Sequence, residues 1–262
     1  MPKFRSKSKS QQSYLKKLGP IFGGCSEEEI RSRTLPQLIK PNLSILFVGI
    51  NPGLYSAYKG HYYSKKGNYF WPCLVQANLV PSHFGPENDQ DCLGLEQSIG
   101  FTDIVSRCTR AQSELRDEEF GEGAEKLRAK LLKYNPMVVV FNGKQIYARF
   151  VGKKLKDVEC GRQSYRLPGC HSVFYTMSNT SPLNAHFPNV QSRMFFYDEI
   201  KALIAQQKVS PYWPSDNTTN IKNPTRENSN SDNSVTTRNT NDNSAAVSCS
   251  TASSVKSDSG VS

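Results

Sequence analysis

The stretch "SILFVGINPGLYSAYKGHYYSKKGNYFW", Ser44–Trp71, sets the frame for the whole chain. Its apolar run Ile45–Val48 is halted by Gly49-Ile50-Asn51-Pro52-Gly53. A short apolar run bounded by turn residues reads as a buried strand. In Asn-Pro-Gly, Pro fixes φ and Gly opens the left-handed region, so the segment forms a rigid turn. Such a turn either simply redirects the chain or also holds the Asn51 carboxamide over the space beyond the strand. A carboxamide can grip a water or the edge of a heterocycle, yet it is no strong general base.

Two more runs have the same shape. Met137–Phe141 leads into "FNGK", and Val173–Met177 leads into "SNTSPLN". Helix candidates lie around them at Asn68–Ala77, Asp117–Tyr134, Lys144–Val151 and Val190–Ala205. The second of these, "DEEFGEGAEKLRAKLLKY", begins with acids and ends with cations, as the helix dipole favours, and it spaces Phe120, Leu127, Leu131 and Leu132 along one face. Alternating strands and helices predict an α/β domain, its sheet parallel or mixed and covered by helices on both faces. Ligands of such sheets collect beyond the carboxyl ends of the strands. The three polar strand ends are therefore expected to meet at one crevice.

Composition divides the chain of 262 residues into three parts. Residues 1–24 form an arm carrying Lys3, Arg5, Lys7, Lys9, Lys16 and Lys17 with no acid among them. Residues 25–208 have the make-up of one globular domain. Residues 209–262 are dominated by Ser, Asn and Thr, which bury too little surface to offset their ordering entropy, so a disordered tail is expected. The tail is nearly neutral, so the net charge of +10 resides in the arm and the domain. A basic arm either keeps the chain soluble or touches phosphates and other anionic surfaces.

The seven cysteines show no C-x-x-C pair and the four histidines do not cluster with them, so no metal site is expected. Scattered cysteines without a signal peptide suggest a reducing compartment. No apolar run is long enough to cross a bilayer as a helix, and no membrane partner is expected. The chain has neither a G-x-x-x-x-G-K-[ST] loop nor a G-x-G-x-x-G turn, which argues against a nucleotide-binding protein.

Within the opening stretch, Phe70 and Trp71 read as core of a helix packed on the sheet. Tyr63, in a Gly-flanked loop, can stack a flat ligand. Asn68 can cap the following helix or offer donor and acceptor to a heterocycle. Lys59, Lys65 and Lys66 make the same loop basic. Aromatics interleaved with lysines suit contact with nucleic acid. His171 and His186 read as structural or surface residues, and Lys153, Lys154 and Lys156 as a solvated face.

"ILFVGINPGL…AYKGHYY…GNYFW" closely resembles the first signature of the mismatch-specific uracil/thymine DNA glycosylases. "GFTDIVSRCT" (Gly100–Thr109), "KYNPMVVVFNGKQIY" (Lys133–Tyr147) and "MSNTSPLNAHFP" (Met177–Pro188) resemble further segments of that family, in order. The Ala-Tyr-Lys-Gly-His-Tyr and Phe-Asn-Gly-Lys runs are most similar to its thymine DNA glycosylase branch. The resemblance implies a three-layer α/β/α sandwich of the uracil-DNA glycosylase type with a mostly parallel central sheet. It implies a cofactor-free, monomeric hydrolase that flips a nucleotide out of duplex DNA at a G·U or G·T mismatch and cuts its N-glycosidic bond. Asn51 would position the attacking water, helped by Thr109. Ile50, Tyr63, Asn68 and Asp103 would line the base pocket. Lys144, Asn179 and Ser181 would hold phosphates, while Pro182 and Leu183 would fill the gap left by the everted nucleotide. Downstream abasic-site repair proteins would be its partners and the nucleus its compartment, in repair of deaminated bases or removal of modified cytosine.

Two positions depart from the family pattern. Asp103 stands where vertebrate members have Asn; an ionised Asp accepts but does not donate, and it would repel a carboxylated base. It either faces the base pocket or turns away to a helix terminus. Leu183 replaces an Arg, leaving an apolar wedge without a cationic contact to the opposite strand. The rival expectation is a catalytically silent module that binds mismatches through the same crevice.

Overall fold

The computed structural model describes residues 22–211; the arm as far as residue 21 and the tail from residue 212 lie outside the described residues. All of the described residues belong to the first of the two units, Met1–Thr218 and Thr219–Ser262, into which the chain divides. In chain order the elements are α1 (Glu27–Arg31), β1 (Ile45–Gly49), α2 (Leu54–Lys59), α3 (Phe70–Gln76), β2 (Ile99–Asp103), α4 (Asp117–Tyr134), β3 (Val138–Asn142), α5 (Lys144–Val151), β4 (Gly161–Arg162), β5 (Val173–Met177) and α6 (Met194–Lys208). The strands form one sheet in the order β2-β1-β3-β5-β4. Four of them run parallel, and only the short β4 is antiparallel to its neighbour β5.

Strands β1, β3 and β5 are buried along their whole length, as near-continuous apolar runs require. Successive side chains point to opposite faces, so Phe47 and Val48 enter different cores. On one face Phe47, Phe101 and Tyr175 pack against Phe70 and Trp71 of α3 and Phe196, Tyr197 and Ile200 of α6. On the other, Val48, Phe141 and Phe174 pack against Phe120, Leu127 and Leu131 of α4 and Ile146 and Phe150 of α5. This is the expected three-layer α/β/α sandwich.

Several local expectations need correction. Leu132 was expected on the buried face of α4 but is 46% exposed; it falls one position beyond the stripe that Leu127 and Leu131 define. The last helix starts later and ends later than Val190–Ala205, because Gln191–Arg193 forms a tight 3-10 turn ahead of it. Strand β2 had no periodic signature. Its Gly100 is packed so closely that a Cβ there would lie 2.5 Å from the Leu38 carbonyl oxygen, so the strand joins the sheet through close backbone approach more than through apolar bulk. Helices α1 and α2 are too short for a periodic pattern. Phe22, inside the stretch read as the arm, is buried against Ile30, Leu54, Ala57 and Cys108.

Candidate active site

The carboxyl ends of β1, β2, β3 and β5 open onto a single crevice of about 1400 Å³, ample for a nucleotide with its flanking backbone. Ile50, Asn51, Tyr63, Asn68, Asp103, Lys144, Asn179, Ser181 and Leu183 all line it. The expected convergence of strand ends therefore holds, and a fourth end, that of β2, joins it.

Asn51 sits where β1 stops. The chain beyond it keeps pairing with the segment beyond β2: Ile104 N–H donates to the Gly49 carbonyl at 3.0 Å, Val105 N–H to Ile50 at 2.9 Å and Thr109 N–H to Pro52 at 3.1 Å. Against this backbone frame the Asn51 Nδ2 donates to the Arg107 carbonyl at 2.8 Å and to Thr109 Oγ1 at 2.7 Å. Both amide hydrogens are thereby engaged on the protein side, so Oδ1 is the atom left to accept a hydrogen bond from the crevice. Thr109 is 2% exposed and does not line the crevice; it acts from behind, by fixing which way the Asn51 amide faces. The loop of Arg107 and Thr109 is itself tied down by ion pairs, Arg107 to Glu119, Arg110 to Glu27 and Arg31 to Glu114. Arg107 with Glu119 beside it holds that carboxyl down at about 2.

Asp103 faces the crevice rather than a helix terminus. It stands opposite Gly49 in the sheet register, and a Cβ on Gly49 would lie only 2.1 Å from Asp103 Oδ1, so the carboxylate needs glycine there. Burial pushes its pKa up to about 7, partly offset by Lys130. A carboxyl raised this far can carry its proton near neutrality, and as an acid it donates as well as accepts. Beside it, Tyr63 adopts φ of 55°, a strained left-handed conformation for a bulky residue. Its ring stacks on Phe70 at 3.8 Å, and its buried hydroxyl lies toward Asn142. Asn68 lines the crevice and, one residue before the Tyr69 N-cap of α3, accepts from the Phe70 N–H at 2.9 Å; the expected capping of the helix by Asn68 itself is not found.

The loop after β5 forms the far wall. Leu183 projects from it, 86% exposed, with the exposed Pro182 on the rim outside the crevice lining. Ser181 Oγ accepts from the Leu183 N–H at 3.2 Å, and Asn179 Oδ1 from the Ser181 N–H at 3.2 Å. Lys144, at the start of α5, lies 3.5 Å from the exposed Glu159.

Sequence reading missed Asn142. This buried residue at the end of β3 donates from Nδ2 to Thr180 Oγ1 at 3.1 Å and accepts from the Thr180 N–H at 3.2 Å, riveting the far wall to the sheet. Its position, polar and directly after an apolar strand, matches that of Asn51 and was the available signal. His186, read as a structural or surface residue, also lines the crevice. Among the described residues no group of three His, Cys, Asp or Glu side chains could hold a metal ion.

A mostly parallel sheet with a polar crevice beyond the carboxyl ends of its strands is the ligand-binding frame of an open α/β fold. The family model for the uracil DNA glycosylase superfamily matches residues 36–202, and the chain belongs to that superfamily. A G/U mismatch-specific uracil DNA glycosylase of Schizosaccharomyces pombe is 34% identical over 128 residues, covering 46% of this chain; the match takes in 39% of that relative's length. Among solved structures, a solution NMR structure of a protein assigned as a uracil DNA glycosylase in Methanosarcina acetivorans aligns over 65% of this chain and 97% of its own, at 21% identity and a TM-score of 0.43.

Proposed function

We propose that this chain is a monofunctional DNA glycosylase that everts uracil mispaired with guanine and hydrolyses its N-glycosidic bond. One observation carries the reading: Asn51, its amide nitrogen fixed by Arg107 and Thr109, presents Oδ1 to the crevice that Tyr63 and Asp103 also line. A water donating to that oxygen is oriented with a lone pair toward the sugar. No lysine occupies the turn, so water rather than an amine attacks. A carboxamide in place of a carboxylate forgoes a general base worth roughly 10²–10⁴ in rate. Only a base that leaves readily as an anion is then released, which favours uracil, and thymine or cytosines with electron-withdrawing substituents more slowly. The name of the fungal relative supports G·U as the preferred mismatch.

Eversion from the stack costs roughly a few kcal/mol, least at a mismatch. Leu183 is the apolar wedge that takes the vacated space. Lys144 and the hydroxyl hydrogen of Ser181, which its bond to Leu183 leaves unused, suit phosphate oxygens. At neutral pH the ionised fraction of Asp103 disfavours carboxylcytosine, so uracil is expected to be cut well and carboxylcytosine poorly. Thymine, modified cytosine and a nuclear location belong to the same proposal. The last is favoured by the duplex substrate and the Ser/Asn/Thr-rich tail.

Incubation with a G·U duplex followed by alkaline cleavage tests the reading. A nick at the uracil supports it; a gel shift without a nick means a silent mismatch binder. Single-turnover rates on uracil, thymine, formylcytosine and carboxylcytosine opposite guanine then set the substrate order, and equal rates for uracil and carboxylcytosine would remove the role given to Asp103.

A further inference from the structure

The largest fully buried side chain among the described residues is a cation. Arg193, at the end of the 3-10 turn before α6, has no exposed surface, and no carboxylate pairs with it among the described residues. Its guanidinium instead donates to three backbone carbonyls of one loop: Nη1 to Asn179 at 2.6 Å, and Nη2 to Ser181 at 3.3 Å and to Phe187. The same plane lies 4.8 Å from the ring centroid of Tyr69. Tyr69 adds two more ties, its hydroxyl donating to the Pro188 carbonyl at 2.6 Å and its N–H to the Thr180 carbonyl at 3.0 Å.

Burying an unpaired cation is unfavourable, and hydrogen bonds to neutral carbonyls offset only part of the cost. Nε remains without a partner among the described residues. A well-packed apolar residue would serve stability better, so the site calls for another explanation. The three carbonyls supply one. They bracket Leu183 on both sides in sequence, so the planar fork closes the loop at its base and leaves its tip projecting. Arg is the side chain whose rigid array of donors can do this.

Resting on the glycosylase reading above, we propose that Arg193 is a positioning residue for base eversion: it clamps the loop Asn179–Phe187 from behind and holds Leu183 ready to enter the duplex before DNA arrives. The ordering entropy of the wedge is then met in folding rather than in binding. The residue touches neither the base nor the reacting atoms.

The test compares wild type with Arg193→Lys, which keeps the charge and loses the fork, on two substrates: uracil opposite guanine in a fully paired duplex, and uracil inside a preopened bubble of mismatched bases. A 2-aminopurine next to the uracil reports eversion independently of cleavage. Cleavage and the 2-aminopurine signal on the paired duplex should fall by about tenfold or more, as for small misplacements elsewhere, while cleavage in the bubble falls far less. Equal losses on the two substrates, or none, would overturn the clamp. Tyr69→Phe, which removes only the tie to Pro188, should shift the same ratio in the same direction by a smaller factor, and it decides the matter if Arg193→Lys does not fold. Wild-type protein that leaves both substrates intact would instead overturn the glycosylase reading itself.

Discussion

The two walls of the crevice are held by different means. On the Asn51 side, three successive backbone bonds extend the pairing of β1 with β2, and side chains only orient the amide within that frame. On the Leu183 side there is no such ladder. Asn142, Tyr69 and Arg193 fasten an irregular loop to the sheet, to the start of α3 and to α6 through its backbone and Thr180. On the proposed reading, a site that fixes one water gains from a rigid backbone frame. On the same reading, a wedge that enters DNA needs a firm base and a projecting tip, which side-chain clamps supply. The difference predicts where substitutions will strike.

The largest effect is expected from Asn51→Ala. Loss of the carboxamide proposed to orient water should lower single-turnover cleavage by about 10²–10³-fold. Because the backbone bonds persist, unfolding should register only about 1 kcal/mol, for the lost partners of Arg107 and Thr109. A comparable collapse of folding would show that the frame depends on the side chain after all. Asn142→Ala reverses the pattern. It strands the buried polar groups of Thr180, so chemical denaturation should reveal a loss of about 1–3 kcal/mol, and limited proteolysis should find the loop 179–188 newly accessible.

Asp103 gives a pH-dependent comparison. Its pKa is raised by burial from an ordinary 3.8 to about 7, so the native state binds the proton more tightly than the unfolded state does. Its contribution to stability is therefore full below the unfolded pKa and is lost as pH rises through about 7. Tyr62, Tyr63 and Lys130 are the titratable groups that feel it. Thermal melts of Asp103→Asn should gain on wild type at about pH 8, gain less at about pH 5 and lose that advantage below about pH 4; a constant offset throughout would mean that the carboxyl stays in one form. Leu183→Ala should be the quietest in folding. A side chain this exposed contributes within about 0.5 kcal/mol, yet its truncation should weaken the 2-aminopurine signal of eversion in duplex DNA. An unchanged signal would mean that another residue fills the gap.

Much of this architecture could be read before any coordinates. The apolar runs of β1, β3 and β5 and the dipole-matched charges of α4 are strong local signals, and their alternation implied a layered domain. What escaped had no local signal. Strand β2 contains Gly100, Thr102 and Asp103 and is held as a strand by pairing with β1 on one side and with Leu38 on the other. Leu132 looks like core in a list of apolar residues and is not, because one step along a helix turns a side chain by about 100°. Asp103 was legible as a departure from a family pattern, but its proton affinity depends on the low-dielectric wall around it.

By itself, the sequence determined the layered α/β frame, the convergence of the strand ends and the placing of Asn51 at the mouth of β1, because these follow from apolar periodicity, turn chemistry and motif order along the chain. Only the tertiary structure decided the roles of Thr109, Asn142 and Arg193. Each acts through a partner that is distant in sequence and meets it across packed elements, where burial and hydrogen-bond geometry set what a side chain does.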